Sequence, residues 1–235
     1  WDAIDLIPSD HPLYAGRPST VGQRGANLIF PNADLLLSIG CRRNTRQIGY
    51  TFAAVARAAY KVIVDIDPVE LRKPTVRPDL GICCDAGVFL ELLEAELAGA
   101  GLPPRQAWLD WCRERLRRFP VVLPEYRERQ DVVNPYVFCD VLSDELAADD
   151  MIVSANGAAC VIPIQALRLR AGQRHIVNSG CAAMGYGLPA AIGACLARGG
   201  RRVICLEGDG SIQMNLQELQ TAVHHRLPVK ILLFN

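Results

Sequence analysis

Short apolar runs alternate along the chain with segments whose apolar residues have helical spacing. Each run is too short for a helix and stops at glycine, proline or a polar residue, which is typical of buried strands. Because strands separated by helices favour crossover connections, the pattern predicts an α/β fold with mainly parallel sheets. The predicted strands are residues 33–40, 61–68, 81–84, 151–154, 175–178, 202–206 and 229–234.

Polar residues next to several apolar segments predict where helices begin. Asp85 is predicted to cap the helix that follows it, because its side chain can accept hydrogen bonds from the first helical N–H groups. Asn215 and Glu218 have the spacing of a capping box for a further helix. The alanine-rich segment 51–59 is also compatible with a helix.

The alternation divides the chain into two regions, so the prediction is two doubly wound domains. Residues 1–98 form the first, residues 134–235 the second, and residues 99–133 a charged linker that contains prolines. The linker includes a basic amphipathic helix whose charge is offset by nearby acids, and we interpret it as a solvated helix. The sequence starts at Trp1 and stops at a strand exit, so we expect a piece of a longer protein.

Composition narrows the class of protein. Half of the 235 residues are hydrophobic and 21% are charged, which excludes a disordered or collagen-like chain. Lys plus Arg and Asp plus Glu each number 25, so no net basic field attracts nucleic acid or an anionic membrane. The apolar runs are shorter than the roughly 20 residues of a membrane-spanning helix. The nine cysteines are scattered along the chain, which predicts reduced thiols and a cytoplasmic location. The four histidines lack the paired spacing of zinc ligands, so no zinc site is predicted.

The segment Gly208-Asp209-Gly210-Ser211 lies between a predicted buried strand and a helix. Glycines on either side of an acid let the backbone approach a ligand closely, and open parallel sheets bind ligands at the carboxyl ends of their strands. A divalent cation at Asp209 would join the carboxylate to phosphate oxygens that it would otherwise repel. A tight turn without a ligand is the alternative. The next strand should return Asn235 to the same sheet edge.

This order of GDGS, helix and strand ending in asparagine resembles the diphosphate-binding signature of thiamine diphosphate enzymes. In that family the second of two consecutive asparagines ligates magnesium, and by spacing it would fall just beyond Asn235. The resemblance implies thiamine diphosphate and Mg²⁺ as cofactors. It also implies Asp209 as a metal ligand, with the other three residues of GDGS beside the diphosphate.

A second segment, NSGCAAMGYGLPAA at residues 178–191, resembles the acetolactate synthase segment that ends in MGFGLPAA. The resemblance implies that Met184 holds the cofactor bent and that the Ala182 carbonyl accepts a hydrogen bond from its 4′-amino group. Ala183 lies between them in the same cofactor-binding turn. An isolated methionine would instead be a core residue. Asn156 and Gly157 correspond to a turn that contacts the diphosphate, although alanine and cysteine replace the polar residues of the family's GQHQ.

The first region resembles the central domain of the same enzymes in its HPLYAG, ADLLLSIGCR and VDIDP segments. In acetolactate synthases this domain carries FAD with a structural role. The family's GARFDDRVTG is GCRRNTRQIG here, which keeps both glycines and two arginines but loses the acidic pair, and the GMHG turn is replaced near residues 19–22. FAD, an ADP-like ligand and an empty site stay open. The candidate flavin residues are Gly40, Arg42, Asp65, Asp67 and Asp85, and strand-end or capping roles are the alternative for the aspartates.

The resemblance implies a larger parent whose amino-terminal domain supplies the activating glutamate, so no residue of this chain is predicted to be catalytic. The implied reaction is decarboxylation of a small 2-oxo acid with transfer of the acyl anion to a second carbonyl, as in an acetolactate-synthase-like carboligase. Because the family's active site lies between subunits, a homodimer or homotetramer is implied. A decarboxylase or lyase of the same fold and a non-catalytic nucleotide-binding paralogue or regulatory subunit are the alternatives.

Overall fold

The computed structural model describes residues 1–129 and 131–235, which form two compact units. One unit is Ala15–Pro120 and contains a three-stranded sheet. The other consists of Trp1–Tyr14 and Val121–Asn235 and contains a four-stranded sheet. All described strand pairs are parallel, which confirms the predicted α/β fold with two parallel-sheet domains. The predicted linker, residues 99–133, includes Gln130, which lies outside the described residues.

The three-stranded unit has the strand order β1-β2-β3. Its strands are β1 (Leu35–Ile39), β2 (Tyr60–Asp65) and β3 (Leu80–Cys83). Its helices are α1 (Arg24–Ile29), α2 (Thr45–Ile48), α3 (Pro68–Leu71), α4 (Ala86–Leu97) and α5 (Gln106–Arg118), with short 3₁₀ helices at Phe30–Asn32 and Phe52–Ala54. The Asp85 carboxylate accepts hydrogen bonds from the first N–H groups of α4, so its predicted capping role is confirmed.

The alanine-rich segment 51–59 is not an α-helix, contrary to prediction. It forms a single 3₁₀ turn at Phe52–Ala54. Ala56 follows with a φ of 42°, a left-handed conformation that ends helical hydrogen bonding, and its side chain is fully buried. Burial of Ala56 and the start of β2 at Tyr60 therefore outweigh the helix propensity of alanine.

The predicted basic helix is α5, which packs against α1 within the three-stranded unit. The two helices approach closely at Gly25, where a Cβ would lie 3.0 Å from the carbonyl oxygen of Arg115. Cys112 on α5 is buried. This helix is therefore packed along one face rather than solvated all round.

The first 14 residues pack with the four-stranded unit, although the division made from the sequence places them in the first domain. Ile4 is buried in the core of that unit. The Asp5 carboxylate accepts hydrogen bonds from the backbone N–H of His175 at 3.0 Å and from Nε of Arg174 at 2.7 Å. These contacts join the amino-terminal segment to the edge strand of the sheet.

The four-stranded unit has the strand order β5-β4-β6-β7. Its strands are β4 (Met151–Ser154), β5 (Arg174–Val177), β6 (Val203–Gly208) and β7 (Val229–Phe234). Its helices are α6 (Pro135–Glu145), α7 (Ala158–Ala166), α8 (Gly187–Ala197), α9 (Asp209–Gln213) and α10 (Glu218–His224), with a 3₁₀ helix at Pro124–Arg127.

Helices cover both faces of the four-stranded sheet. Side chains of a strand alternate between the two faces, so β6 contributes to a core on each side. On one face, Ile204 and Leu206 of β6 join a core cluster with residues of α6 and α7. On the other face, Val203 and Cys205 pack with Ala191 of α8. This arrangement explains the continuous apolar run of β6, which is typical of a central parallel strand.

None of the nine cysteines, all of which lie among the described residues, forms a disulfide bond, and five of them are buried. Burial raises the pKa of the Cys139 thiol to about 12, so that thiol stays neutral and acts as a small apolar group. No helix within residues 1–129 and 131–235 is long and apolar enough to cross a membrane.

We expect Leu206→Ala to lower the free energy of unfolding by about 2–5 kcal/mol, because it leaves a cavity under β6. The matched control is Leu196→Ala on α8, where the leucine is 54% exposed rather than 0%, with an expected change below about 0.5 kcal/mol. Urea unfolding of both variants measures the difference. Equal losses would contradict the described core.

Candidate functional site

Parallel pairing brings three of the predicted site segments to one edge of the four-stranded sheet. The turn after β4, the loop after β5 and the GDGS segment after β6 all follow carboxyl ends of neighbouring strands. Gly208 pairs with Phe234 of β7, so Asn235 follows β7 at the level where Asp209 follows β6. The side chain of Asp209 is exposed at this edge.

The peptide groups of Gly185 connect the loop after β5 to the GDGS segment. The Gly185 N–H donates to Oγ of Ser211 at 3.0 Å, and its carbonyl accepts from Nδ2 of Asn215 at 2.7 Å. The residue has a φ of +85°, and a Cβ there would lie 2.8 Å from Cβ of Met214. Only glycine satisfies both the conformation and the close contact.

The predicted capping box at Asn215 is wrong. Helix α10 begins at Glu218, and the preceding Gln217 is helical and makes no side-chain capping bond. The Asn215 amide is instead bound to the Gly185 carbonyl. Asn215 therefore has the spacing of a capping residue in the sequence, but in the structure it holds the loop after β5.

Met184 lies at the surface of the site rather than in the core. Its side chain is 50% exposed, and its Cε lies 3.4 Å from the position of a Cβ on Gly210. The absence of a side chain at Gly210 thus leaves room for the methionine beside Asp209. This position excludes the alternative that Met184 is a core residue.

The turn after β4 touches the same loop through Asn156. Its Nδ2 donates to the carbonyl oxygen of Ala182 at 3.4 Å. Ala182 has a φ of 51°, and its carbonyl keeps a second lone pair for another donor. Ala183 beside it is exposed. Gly157 has a φ of 61° and no atom within 4 Å of a hypothetical Cβ, so this turn faces open space.

The chemistry of these groups fits a magnesium diphosphate ligand. Asp209 offers an exposed carboxylate, and a Cβ at Gly208 would meet only Ser211, at 4.0 Å. Among the described residues, no group of three or more His, Cys, Asp or Glu side chains is placed to hold a metal. A cation at Asp209 therefore needs further oxygen ligands, which phosphate groups supply.

Glu207 is a site residue that the sequence interpretation missed. Its side chain is fully buried although it directly precedes the GDGS segment. A Cβ at Gly187 would overlap Oε2 of Glu207 and lie 2.9 Å from Cβ of Ala155, so this glycine makes room for the acid. The signal in the sequence is an acidic residue within the apolar run VICLEG.

Burial raises the pKa of the Glu207 carboxyl. This effect of desolvation is opposed by the Ser211 hydroxyl, the Cys205 thiol and the backbone N–H groups of Gly208 and Leu188. The Cys205 thiol donates to Oε2 over 3.8 Å. The carboxyl is thus surrounded by donors from both GDGS and the start of α8.

The candidate flavin residues gather at the carboxyl edge of the three-stranded sheet. Gly40 follows β1 with a φ of 59°, and its N–H donates to the Val64 carbonyl at 2.9 Å. Asp65 ends β2 and is buried. Asp67 and Asp85 cap α3 and α4, so both carboxylates already have the capping role that was the alternative.

Two cavities lie in the three-stranded unit, with volumes of about 400 and 180 Å³. Both are lined by Pro18, Phe30, Gln47, Ile48 and Val55. The candidate flavin residues do not line either cavity. The side chain of one of them, Arg42, is exposed, with its Nε 3.4 Å from Glu70. The two cavities and the candidate flavin residues therefore lie in different parts of this unit.

Two protein-family models match most of the chain. The model described as thiamine pyrophosphate enzyme, central domain, matches residues 1–93, and the model described as thiamine pyrophosphate enzyme, C-terminal TPP binding domain, matches residues 155–235. Thiamine pyrophosphate is the same compound as thiamine diphosphate. The chain belongs to the thiamine pyrophosphate enzymes. The GDGS and Met184 segments of this family member both fall within the match to the TPP binding domain.

Curated relatives of this chain include acetolactate synthases. The protein named acetolactate synthase isozyme 1 large subunit of Escherichia coli is 34% identical over 99% of this chain and 40% of its own length. Probable acetolactate synthase 2, chloroplastic, of Oryza sativa subsp. japonica is 34% identical over 99% of this chain and 35% of its own length. The chain therefore spans well under half the length of these relatives.

We expect Gly187→Ala to lower the free energy of unfolding by about 1–3 kcal/mol, because the methyl group would collide with Glu207. Gly193→Ala on the same helix is the matched control, since no atom lies within 4 Å of its hypothetical Cβ. That control should gain about 0.5–1 kcal/mol from helix propensity. Denaturant unfolding measures both. A neutral effect of Gly187→Ala would contradict the described packing of Glu207.

Proposed function

We propose that the full-length protein containing this chain is a thiamine diphosphate- and Mg²⁺-dependent carboligase of the acetolactate synthase type. It decarboxylates a small 2-oxo acid and transfers the acyl anion to a second carbonyl. The observation that supports this proposal most is the joining of the Met184 loop to the GDGS segment through Gly185. The relatives named acetolactate synthases support the same reaction type.

The chain's own residues hold and orient the cofactor in this proposal. Asp209 binds Mg²⁺, and the glycines on either side of it leave room for the diphosphate. Asn156 and Gly157 border the diphosphate from the turn after β4. When bound, thiamine diphosphate supplies a carbanion for carbonyl addition and an electron sink for decarboxylation.

Met184 and the loop after β5 orient the rings of the cofactor. The exposed methionine is a flexible apolar side chain that supports a bent conformation. The Ala182 carbonyl retains a free lone pair for the amino group of the pyrimidine. The activating glutamate and the second Mg²⁺ ligand are assigned to parts of the parent protein outside this chain.

The assembly and the second cofactor are further parts of the proposal. A homodimer or homotetramer brings the pyrimidine-binding domain of one subunit to the TPP binding domain of another. FAD in a structural role, an ADP-like ligand and an empty site are the alternatives for the three-stranded unit, where the larger cavity of about 400 Å³ offers space but is not lined by the candidate flavin residues. The loss of the acidic pair, now Asn44-Thr45, is the feature that disfavours FAD: Asn44 caps α2 through its side chain.

A decarboxylase or lyase of the same fold is the second candidate. It is favoured by the start of α7, where alanine and cysteine stand in place of polar residues next to the open turn at Gly157. The replaced residues are the polar ones that the acetolactate synthase resemblance implies beside the diphosphate, so this departure favours another member of the same fold. The products of the reaction separate these two candidates.

We expect Asp209→Ala in the full-length protein to abolish magnesium-dependent binding of thiamine diphosphate while the fold remains intact. The loss should exceed about tenfold in affinity, because even outer partners of metal ligands contribute about 10- to 100-fold. Isothermal titration with and without Mg²⁺ measures it. The exposed Asp10, changed to Ala, is the matched control. Unchanged affinity in the Asp209 variant would refute the metal assignment.

We expect the full-length protein, supplied with pyruvate, thiamine diphosphate and Mg²⁺, to form acetolactate. NMR of the carbon products identifies the reaction. Formation of acetaldehyde and carbon dioxide instead would favour the decarboxylase over the carboligase. Bound cofactor without any product from a panel of 2-oxo acids would favour the non-catalytic alternative.

A further inference from the structure

Glu207 is a fully buried acid at the carboxyl end of β6. It lies on the same face of the strand as Cys205, because side chains two residues apart share a face, and that face packs against α8. Its position beside GDGS places a carboxyl group directly beneath the candidate site. None of the roles assigned above to the cofactor-binding residues uses this group.

The contacts of Glu207 join the two segments that form the site. Its Oε2 fills the space that a side chain on Gly187 would occupy, and the donors close to its carboxyl are the Ser211 hydroxyl and the Gly208 amide from GDGS and the Leu188 amide from α8. Ser211 Oγ accepts the N–H of Gly185 at 3.0 Å, which leaves its own proton free to donate to Glu207. A chain of donors thus runs from Gly185 through Ser211 to the buried carboxyl.

Stability alone does not account for an acid at this position. Oε1 of Glu207 is buried, and no donor among the described residues has hydrogen-bonding geometry to it. Burying a polar oxygen without a full partner costs free energy, and an apolar residue of similar size would avoid that cost. What the acid offers instead is a simultaneous acceptor for groups on two segments.

We propose that Glu207 is a positioning residue that holds residues 182–188 against residues 208–211, so that Met184 and Asp209 face one bound ligand. Gly187 is the complementary feature, since its missing side chain provides the space for the carboxyl. The inference rests on the proposed function in that the ligand is thiamine diphosphate with Mg²⁺.

The test uses the full-length protein with Glu207→Leu and Glu207→Gln. Leu removes the acceptor and keeps apolar bulk, whereas Gln keeps an acceptor of the same shape. We expect Glu207→Leu to weaken the affinity for Mg²⁺-thiamine diphosphate by at least about tenfold, and Glu207→Gln to stay within about threefold of the wild type. Isothermal titration gives the affinities, and the melting temperature of the cofactor-free protein is recorded in parallel.

The matched control is Ser143→Ala, which removes a buried hydroxyl that donates to the Cys139 carbonyl at 2.7 Å, away from the site. We expect it to lower the melting temperature without changing the affinity. Glu207→Leu should show the reverse, with weakened binding at a nearly unchanged melting temperature. If the Leu variant does not fold, Glu207→Met replaces it as the apolar substitution.

The outcomes separate the two proposals. A wild-type protein that binds no thiamine diphosphate overturns the proposed function. Wild-type binding with equal affinity in the apolar variant overturns the positioning role alone. The positioning role is also overturned if Glu207→Gln weakens binding as much as Glu207→Leu, or if the affinities of all variants change in parallel with their melting temperatures.

Discussion

The position of β6 between β4 and β7 is the constraint on which the candidate site depends. All three strands run in the same direction, so the segments that follow them emerge at one edge. The apolar residues of β6 fill cores on both faces of the sheet, and this burial holds the strand in register. Asp209 is therefore delivered to the edge by the same packing that stabilises the unit.

Hydrogen bonds from the loop after β5 then define the shape of the site. Gly185 is bound on one side by Ser211 and on the other by Asn215. These bonds use the backbone of the loop, so its exposed side chain at Met184 is left to face a ligand. The site is thus built from a rigid strand edge and a loop fastened to it, which is how preorganised binding sites are held.

Several elements were predictable from local patterns. The capping role of Asp85 and the strand Val229–Phe234 follow directly from residue type and spacing, and the structure confirms both. The family was also predictable, because GDGS and the segment around Met184 are contiguous motifs. The helix predicted for residues 51–59 failed because Ala56 is buried in a left-handed conformation, and propensity does not register burial.

What the sequence by itself determined is the alternation of strands and helices, the parallel sheets and the short motifs, since these depend on residues close together in the chain. Only the tertiary structure decided that Asn215 binds Gly185 rather than capping a helix. It also decided that the first 14 residues pack with the distant strand β5. The same holds for Glu207, whose burial depends on the missing side chain of Gly187. Contacts between residues far apart in the chain arise from packing, and no local pattern encodes them.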